Sequence, residues 1–174
     1  MGRVRRTGQL VVKSMAAAVD VVNPGPKGLT VLAYHRVGGG TELELDLDPA
    51  VFADQMAYLA EQRRVVTLEQ GLTELAQGGA DPAEAVTFDD GTADFVEHAL
   101  PALVTNAVPA TYYIATRFID DGVPFPDDGT PLTWGALTEA LSTGVVSVGS
   151  HTHSHAVADK LSPEAMDDEL RRCA

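Results

Sequence analysis

The sequence predicts an α/β domain built on a parallel sheet, and three observations carry that prediction. Short β-branched apolar runs alternate with longer segments of helical periodicity, the arrangement in which helices cross over between parallel strands. Two of the runs end in clusters of acids or histidines, as α/β folds place functional groups at the ends of strands. The 174 residues are 45% hydrophobic, enough for one domain with a single core, and contain no internal repeat or low-complexity block.

Strand-like runs fall at 29–34, 64–67, 85–88, 110–115 and 145–148, and helical patterns at 49–62, 68–77, 92–106, 133–142 and 162–172. The last helix has a clear start, with Ser162 as cap, Pro163 behind it, then Glu164 and Asp167. His98 shares the 92–106 pattern with Asp94, Glu97, Leu100 and Leu103, which suits a solvated helix face. The segment 120–131 holds Asp120, Asp121, Asp127 and Asp128 among two glycines and three prolines. Its spacing lacks the alternation of a calcium loop, so it reads as a solvated acidic loop near a cleft rim. Trp134 is either a stacking plane for a sugar ring or packing at the start of its helix.

The net charge of −13 argues against a nucleic-acid partner, which needs clustered Lys and Arg. Charge is uneven: residues 1–28 carry Arg3, Arg5, Arg6, Lys13 and Lys27 against Asp20, a surplus of +4 that leaves −17 for the remainder. With Leu10, Val11, Val12, Met15 and Val19, residues 1–28 read as a basic N-terminal extension. It forms either an amphipathic helix in weak contact with an anionic membrane surface or a plain terminal helix. Lys13 and Asp20 break its apolar stretch, so no signal peptide or membrane span is expected. A cytoplasmic or membrane-associated location fits the sequence. The single Cys173 excludes an intramolecular disulfide.

The chemistry concentrates in Thr87-Phe88-Asp89-Asp90-Gly91 and Gly149-Ser150-His151-Thr152-His153-Ser154-His155. Consecutive aspartates on a strand point to opposite faces, and only a distorted turn at Gly91 brings both to one site. Converging carboxylates then share a proton or bind a cation; the alternative is an ordinary turn or helix cap. His151 and His155, four positions apart, present two imidazoles to one side, with the hydroxyls of Thr152 and Ser154 available to orient them. A surface histidine tract is the competing explanation. Two His and one Asp would supply three ligands and leave a place for water, the pattern of a catalytic metal.

These two motifs resemble the first two of the polysaccharide deacetylases, the NodB homology family or carbohydrate esterase family four. The likeness runs through Val31-Leu32-Ala33-Tyr34-His35-Arg36-Val37, Phe52 to Leu59, Leu100-Pro101-Ala102-Leu103, Pro109 to Tyr113 and Leu132-Thr133-Trp134, covering roughly 29–172. It implies a distorted (β/α) barrel, here about its first half, over a domain 29–174. It also implies Asp89 as catalytic base and Asp90, His151 and His155 as ligands of a divalent metal, most often zinc, with His153 outside the ligand set. The implied reaction is hydrolysis of an N- or O-acetyl group on an acetylated oligo- or polysaccharide, a carbon–nitrogen non-peptide bond in the N-acetyl case. The metal would polarise the acyl carbonyl and its bound water while Asp89 takes the water's proton. His35 either lines the cleft or, in the preferred reading, hydrogen-bonds within the barrel. Many family members act outside the cytoplasm.

The family's three later motifs, with a groove Arg, an oxyanion-binding amide and a late general-acid His, have no counterparts in these residues. Loss of the amide donor alone costs about 3 kcal/mol, and loss of the acid about a hundredfold or more in rate. The expectation is a slow catalyst with one long unpaired sheet edge. Two other readings stay open: a hydrolase of non-sugar amides on the same fold, and a non-catalytic carbohydrate-binding fragment.

Overall fold

The computed structural model describes residues 28–79 and 81–174. The predicted extension 1–28 therefore falls, but for Gly28, outside the described residues. Four strands form a parallel sheet in the order β1 (Leu29–Tyr34), β4 (Ala83–Phe88), β5 (Ala110–Ile114), β6 (Val146–Ser150). Two short strands, β2 (Arg36–Val37) and β3 (Asp46–Leu47), pair separately. Among the described residues six α-helices follow in order: α1 (Pro49–Gln62), α2 (Leu68–Ala76), α3 (Leu100–Asn106), α4 (Thr116–Asp121), α5 (Trp134–Ser142) and α6 (Pro163–Arg172). Among the described residues no helix is long and apolar enough to cross a membrane.

Local chemistry fixes most helix starts. Asp48 accepts from the Ala50 and Val51 amides ahead of α1, Thr67 from Gln70 ahead of α2, Thr133 from Ala136 ahead of α5, and Ser162 from Ala165 ahead of α6. Central β4 is buried at every position, as a parallel strand covered on both faces must be. β1 and β6 are each paired on one side only among the described residues, and Val31 and Val148 on them are exposed. Both edges of this sheet are therefore open among the described residues, against the single long edge expected from the sequence.

Three elements depart from the sequence reading, each for a physical reason. Residues 64–67 form no strand; Val65 makes a single parallel bridge to Glu84. Pairing of β5 with β4 begins only at Val86, which leaves 83–85 open on that side, and of these only Glu84 pairs with the segment, accepting the Val66 amide and donating to the Arg64 carbonyl, each at 2.9 Å. The helix expected from residue 92 is a π-helical turn (Phe95–Ala99) running into α3. The Leu100 amide reaches back to the Phe95 carbonyl, and the wider register falls just ahead of Pro101, which has no amide to donate. β6 continues through Gly149 and Ser150 because both pair with β5, at Tyr113 and Ile114. Neighbour pairing here overrides poor strand propensity. In addition, α4 takes Asp120 and Asp121 out of the expected acidic loop, and Pro126–Asp128 form a 3-10 turn.

The core is an aromatic stack beneath the C-terminal ends of the strands. Phe88 meets Phe95 at 4.8 Å, Tyr34 at 5.3 Å and Phe52 at 5.6 Å between centroids. Tyr112 stacks on Phe95 at 4.0 Å and donates its hydroxyl to the Thr92 carbonyl at 2.7 Å. Burial pushes the Tyr112 hydroxyl well above the usual phenol range, so it stays a donor. Asp94 is buried, contrary to a solvated helix face: its Oδ2 accepts the Val37 amide at 2.8 Å, while His98 on the same turn is exposed.

Phe88 is fully buried at the centre of this stack, and Phe88→Ala should cost about 3–5 kcal/mol. Urea unfolding is expected to show the midpoint falling while the slope is unchanged; a shift under 1 kcal/mol would contradict the packing described.

Candidate metal centre

The chain leaves β4 through Asp89 and Asp90. The Asp89 amide donates to the Tyr34 carbonyl at 3.0 Å, continuing the β1 pairing. Asp90 then takes a left-handed conformation, φ 77°, and Gly91 follows at φ 112°. That pair of residues makes the turn. The Asp90 carbonyl accepts the Ala115 amide at 2.8 Å and the Gly91 carbonyl the Leu132 amide at 2.9 Å, which ties the turn to the end of β5 and the approach to α5. The distortion that the sequence placed at Gly91 is thus shared with Asp90, and it turns the Asp90 carboxylate toward the end of β6.

β6 delivers the histidines. The His151 amide donates to the Ile114 carbonyl at 2.9 Å, the last step of the β5–β6 ladder. The loop after it contains two more left-handed residues, Thr152 (φ 64°) and His155 (φ 60°). A β-branched residue in this region is a true outlier, and each such position costs about 1–3 kcal/mol unless surrounding contacts enforce it. The rings of His151 and His155 stand 5.0 Å apart. His155 Nε2 lies 3.1 Å and His151 Nε2 3.6 Å from the same Asp90 oxygen, Oδ1. One donor atom from each of Asp90, His151 and His155 falls within 4.8 Å of the others.

Asp90 Oδ1 is buried and has no hydrogen-bond donor. A buried carboxylate oxygen normally has one. Two imidazole nitrogens and one carboxylate oxygen are also the donor set of a catalytic zinc site, so the residues fit a divalent cation. His155 is the most exposed of the three, which leaves the site open on one side.

His35 corrects the preferred sequence reading. It packs at the site, its Nε2 3.8 Å from Asp89 Oδ2, with about a third of its side chain exposed. His153 is only 4% exposed and turns away from the cluster, Nδ1 meeting Thr116 Oγ1 at 2.9 Å, while its carbonyl accepts the Arg117 amide at 2.9 Å. The hydroxyls of Thr152 and Ser154 act on backbone and neighbours rather than on the two imidazoles: Thr152 Oγ1 accepts from Ala156 at 3.2 Å, and Ser154 Oγ donates to Glu169 at 2.6 Å. Trp134 is exposed, with Nε1 donating to Asp120 Oδ1 at 3.0 Å.

The residue that sequence reasoning missed is Glu169 on α6. Its Oε2 accepts the His153 amide at 2.9 Å and the Ser154 amide at 2.7 Å, and its Oε1 accepts the Ser154 hydroxyl. No local pattern signals this, since fifteen residues separate Ser154 from Glu169. Partial burial pulls the Glu169 carboxyl upward, but the hydroxyl and the two amides outweigh it and hold the group below the usual range.

The sequence profile of the polysaccharide deacetylases matches residues 77–174. That is more than half of the chain, and the protein belongs to the polysaccharide deacetylase family. Among solved structures, the Streptococcus pyogenes deacetylase PplD, in complex with acetate, is similar at 22% identity and a TM-score of 0.74, over 86% of this chain and 67% of that one. IcaB from Ammonifex degensii is similar at 23% identity and a TM-score of 0.69, over 84% of this chain and 66% of its own. BC0361, a polysaccharide deacetylase from Bacillus cereus, follows at 24% and 0.64, over 86% of this chain and 48% of its own. At these identities the likeness is one of fold, and it supports the NodB-type α/β architecture. The chain spans about half to two thirds of the length of these structures. No curated protein matches it.

A carboxyl held low stabilises the fold above its unfolded pKa, about 4.3 for Glu, and that stability is lost as pH falls through the depressed folded-state value. Wild type should therefore melt higher than Glu169→Gln at neutral pH, with the gap closing below about pH 4. A gap independent of pH would show that the charge contributes nothing.

Proposed function

We propose that the protein is a metal-dependent hydrolase that removes N- or O-acetyl groups from a carbohydrate. One observation carries the metal: the buried, donor-less Oδ1 of Asp90 faces the Nε2 atoms of both His151 and His155. Membership of the deacetylase family supports the acetyl group and the acetylated oligo- or polysaccharide substrate.

Asp90, His151 and His155 hold the cation, with zinc the best match to one oxygen and two nitrogen donors. Bound there, a divalent ion supplies Lewis acidity and a water of lowered pKa. Asp89 is the general base. It sits next to the ligand Asp90 in sequence yet is not part of the three-atom cluster, so it is free to accept a proton from water. His35, 3.8 Å from Asp89 Oδ2, is placed to hold that carboxylate toward the site. The division of labour between adjacent aspartates follows from the left-handed turn at Asp90, which gives the second carboxylate to the histidines and leaves the first beside His35.

Metal titration separates the two roles. Asp90→Ala, and His151→Ala combined with His155→Ala, are expected to abolish stoichiometric zinc binding, while Asp89→Asn still binds; equal loss in all three variants would overturn the assignment.

Acetate release from an acetylated chito-oligosaccharide tests the reaction itself. We expect slow release that requires added zinc or cobalt and stops with chelation, and Asp89→Asn should lower it by about 10²–10⁴-fold. Release that persists undiminished under chelation would exclude the metal mechanism.

A further inference from the structure

We propose that Glu169 is a positioning residue that holds the His151–His155 loop in the conformation a divalent cation requires; this rests on reading Asp90, His151 and His155 as its ligands. The loop is strained at Thr152 and His155, and strain of that kind persists only where neighbouring contacts over-determine the backbone. Glu169 supplies three of those contacts, all between the two ligands: the amides of His153 and Ser154 and the hydroxyl of Ser154. From the other side α4 anchors the same stretch, through Thr116 Oγ1 to the His153 ring and the Arg117 amide to the His153 carbonyl.

Two features of α6 point the same way. The helix buries none of its residues, so apolar packing does little to place it, and its arginines pair within the helix, Arg171 with Asp167 and Arg172 with Asp168. Glu169 grips the middle of the histidine loop, while Cys173 just past the helix meets Ser150 Oγ ahead of His151 at 2.6 Å. Three of the carboxylate's roughly four acceptor positions are taken by the loop, two N–H groups on Oε2 and one O–H on Oε1, which suits a group that holds the loop rather than one that ligates or moves protons. Outer partners of this kind fix ligand orientation, and their loss weakens metal binding without touching a ligand.

The test is zinc affinity by competition with a chromophoric chelator, with thermal unfolding of the metal-free protein alongside. Glu169→Ala is expected to stay folded and to bind zinc about 10–100-fold more weakly. Glu169→Gln should recover most of that loss, because its amide oxygen accepts the same two N–H groups and its NH₂ donates to Ser154 Oγ. Recovery by Gln, together with a metal-free Glu169→Ala protein that melts close to wild type, is the signature of positioning, since a general loss of structure would lower the melting temperature along with zinc affinity. If Glu169→Ala fails to fold, Glu169→Asp carries the test, keeping the charge but withdrawing it by one methylene; weaker zinc binding is expected and unchanged affinity overturns the proposal. His155→Ala serves as the control. Zinc binding that His155→Ala does not weaken defeats the ligand assignment itself, whereas loss in His155→Ala with full affinity in Glu169→Ala defeats only the positioning role.

Discussion

Asp90 takes a left-handed backbone conformation at the point where β4 leaves the sheet, and most of the site's geometry depends on that one turn. A strand that simply continued would send the Asp89 and Asp90 carboxylates to opposite faces. The turn instead leaves Asp89 beside His35 and carries Asp90 across the end of β5 toward His151 and His155. Its cost is offset by two backbone hydrogen bonds, Ala115 to the Asp90 carbonyl and Leu132 to the Gly91 carbonyl. These same bonds dock the end of β5 and the approach to α5. One local strain therefore organises four segments of chain.

The turn stands on a rigid base. Phe88, the residue before Asp89, is enclosed by Tyr34, Phe52, Phe95 and Tyr112, and β4 is buried along its whole length. Close packing of this kind does not yield by fractions of an ångström, so the strand end is a fixed reference for the carboxylates. Apolar packing thins toward the histidine side. β6 is an edge strand, His155 is exposed and α6 buries no residue, so the loop between them is held by polar contacts. The two halves of the proposed metal site thus rest on different physics, apolar packing beneath the aspartates and hydrogen bonding around the histidines.

His153 shows how the two are joined. In sequence it is the central member of a histidine-rich stretch, yet its ring is buried against Thr116 at the start of α4, directly after β5. Anchoring the middle of the loop to the neighbouring strand's connection leaves His151 and His155 on either side, both facing Asp90. The chain uses one histidine for structure so that two others converge.

By itself the sequence determined the alternation of strands and helices, the bounds of β1 and α1, and the two clusters at strand ends, because periodicity, caps and β-branched runs are local signals. The motifs also carried the family resemblance. What only the tertiary structure decided lies wherever a residue answers to a distant neighbour. Residues 64–67 touch the sheet only through the Val65–Glu84 bridge, beside the part of β4 that β5 does not reach, and β6 extends over Gly149 and Ser150 because β5 is there to pair with them. His35 lies beside Asp89 because β1 and β4 run parallel in register, Tyr34 opposite Phe88. Glu169 reaches the histidine loop across a bend that no periodicity encodes. Hydrogen-bond partners brought together by chain crossing leave no trace in local spacing, which is why the sequence marks the acidic and histidine clusters but not the contacts that hold them.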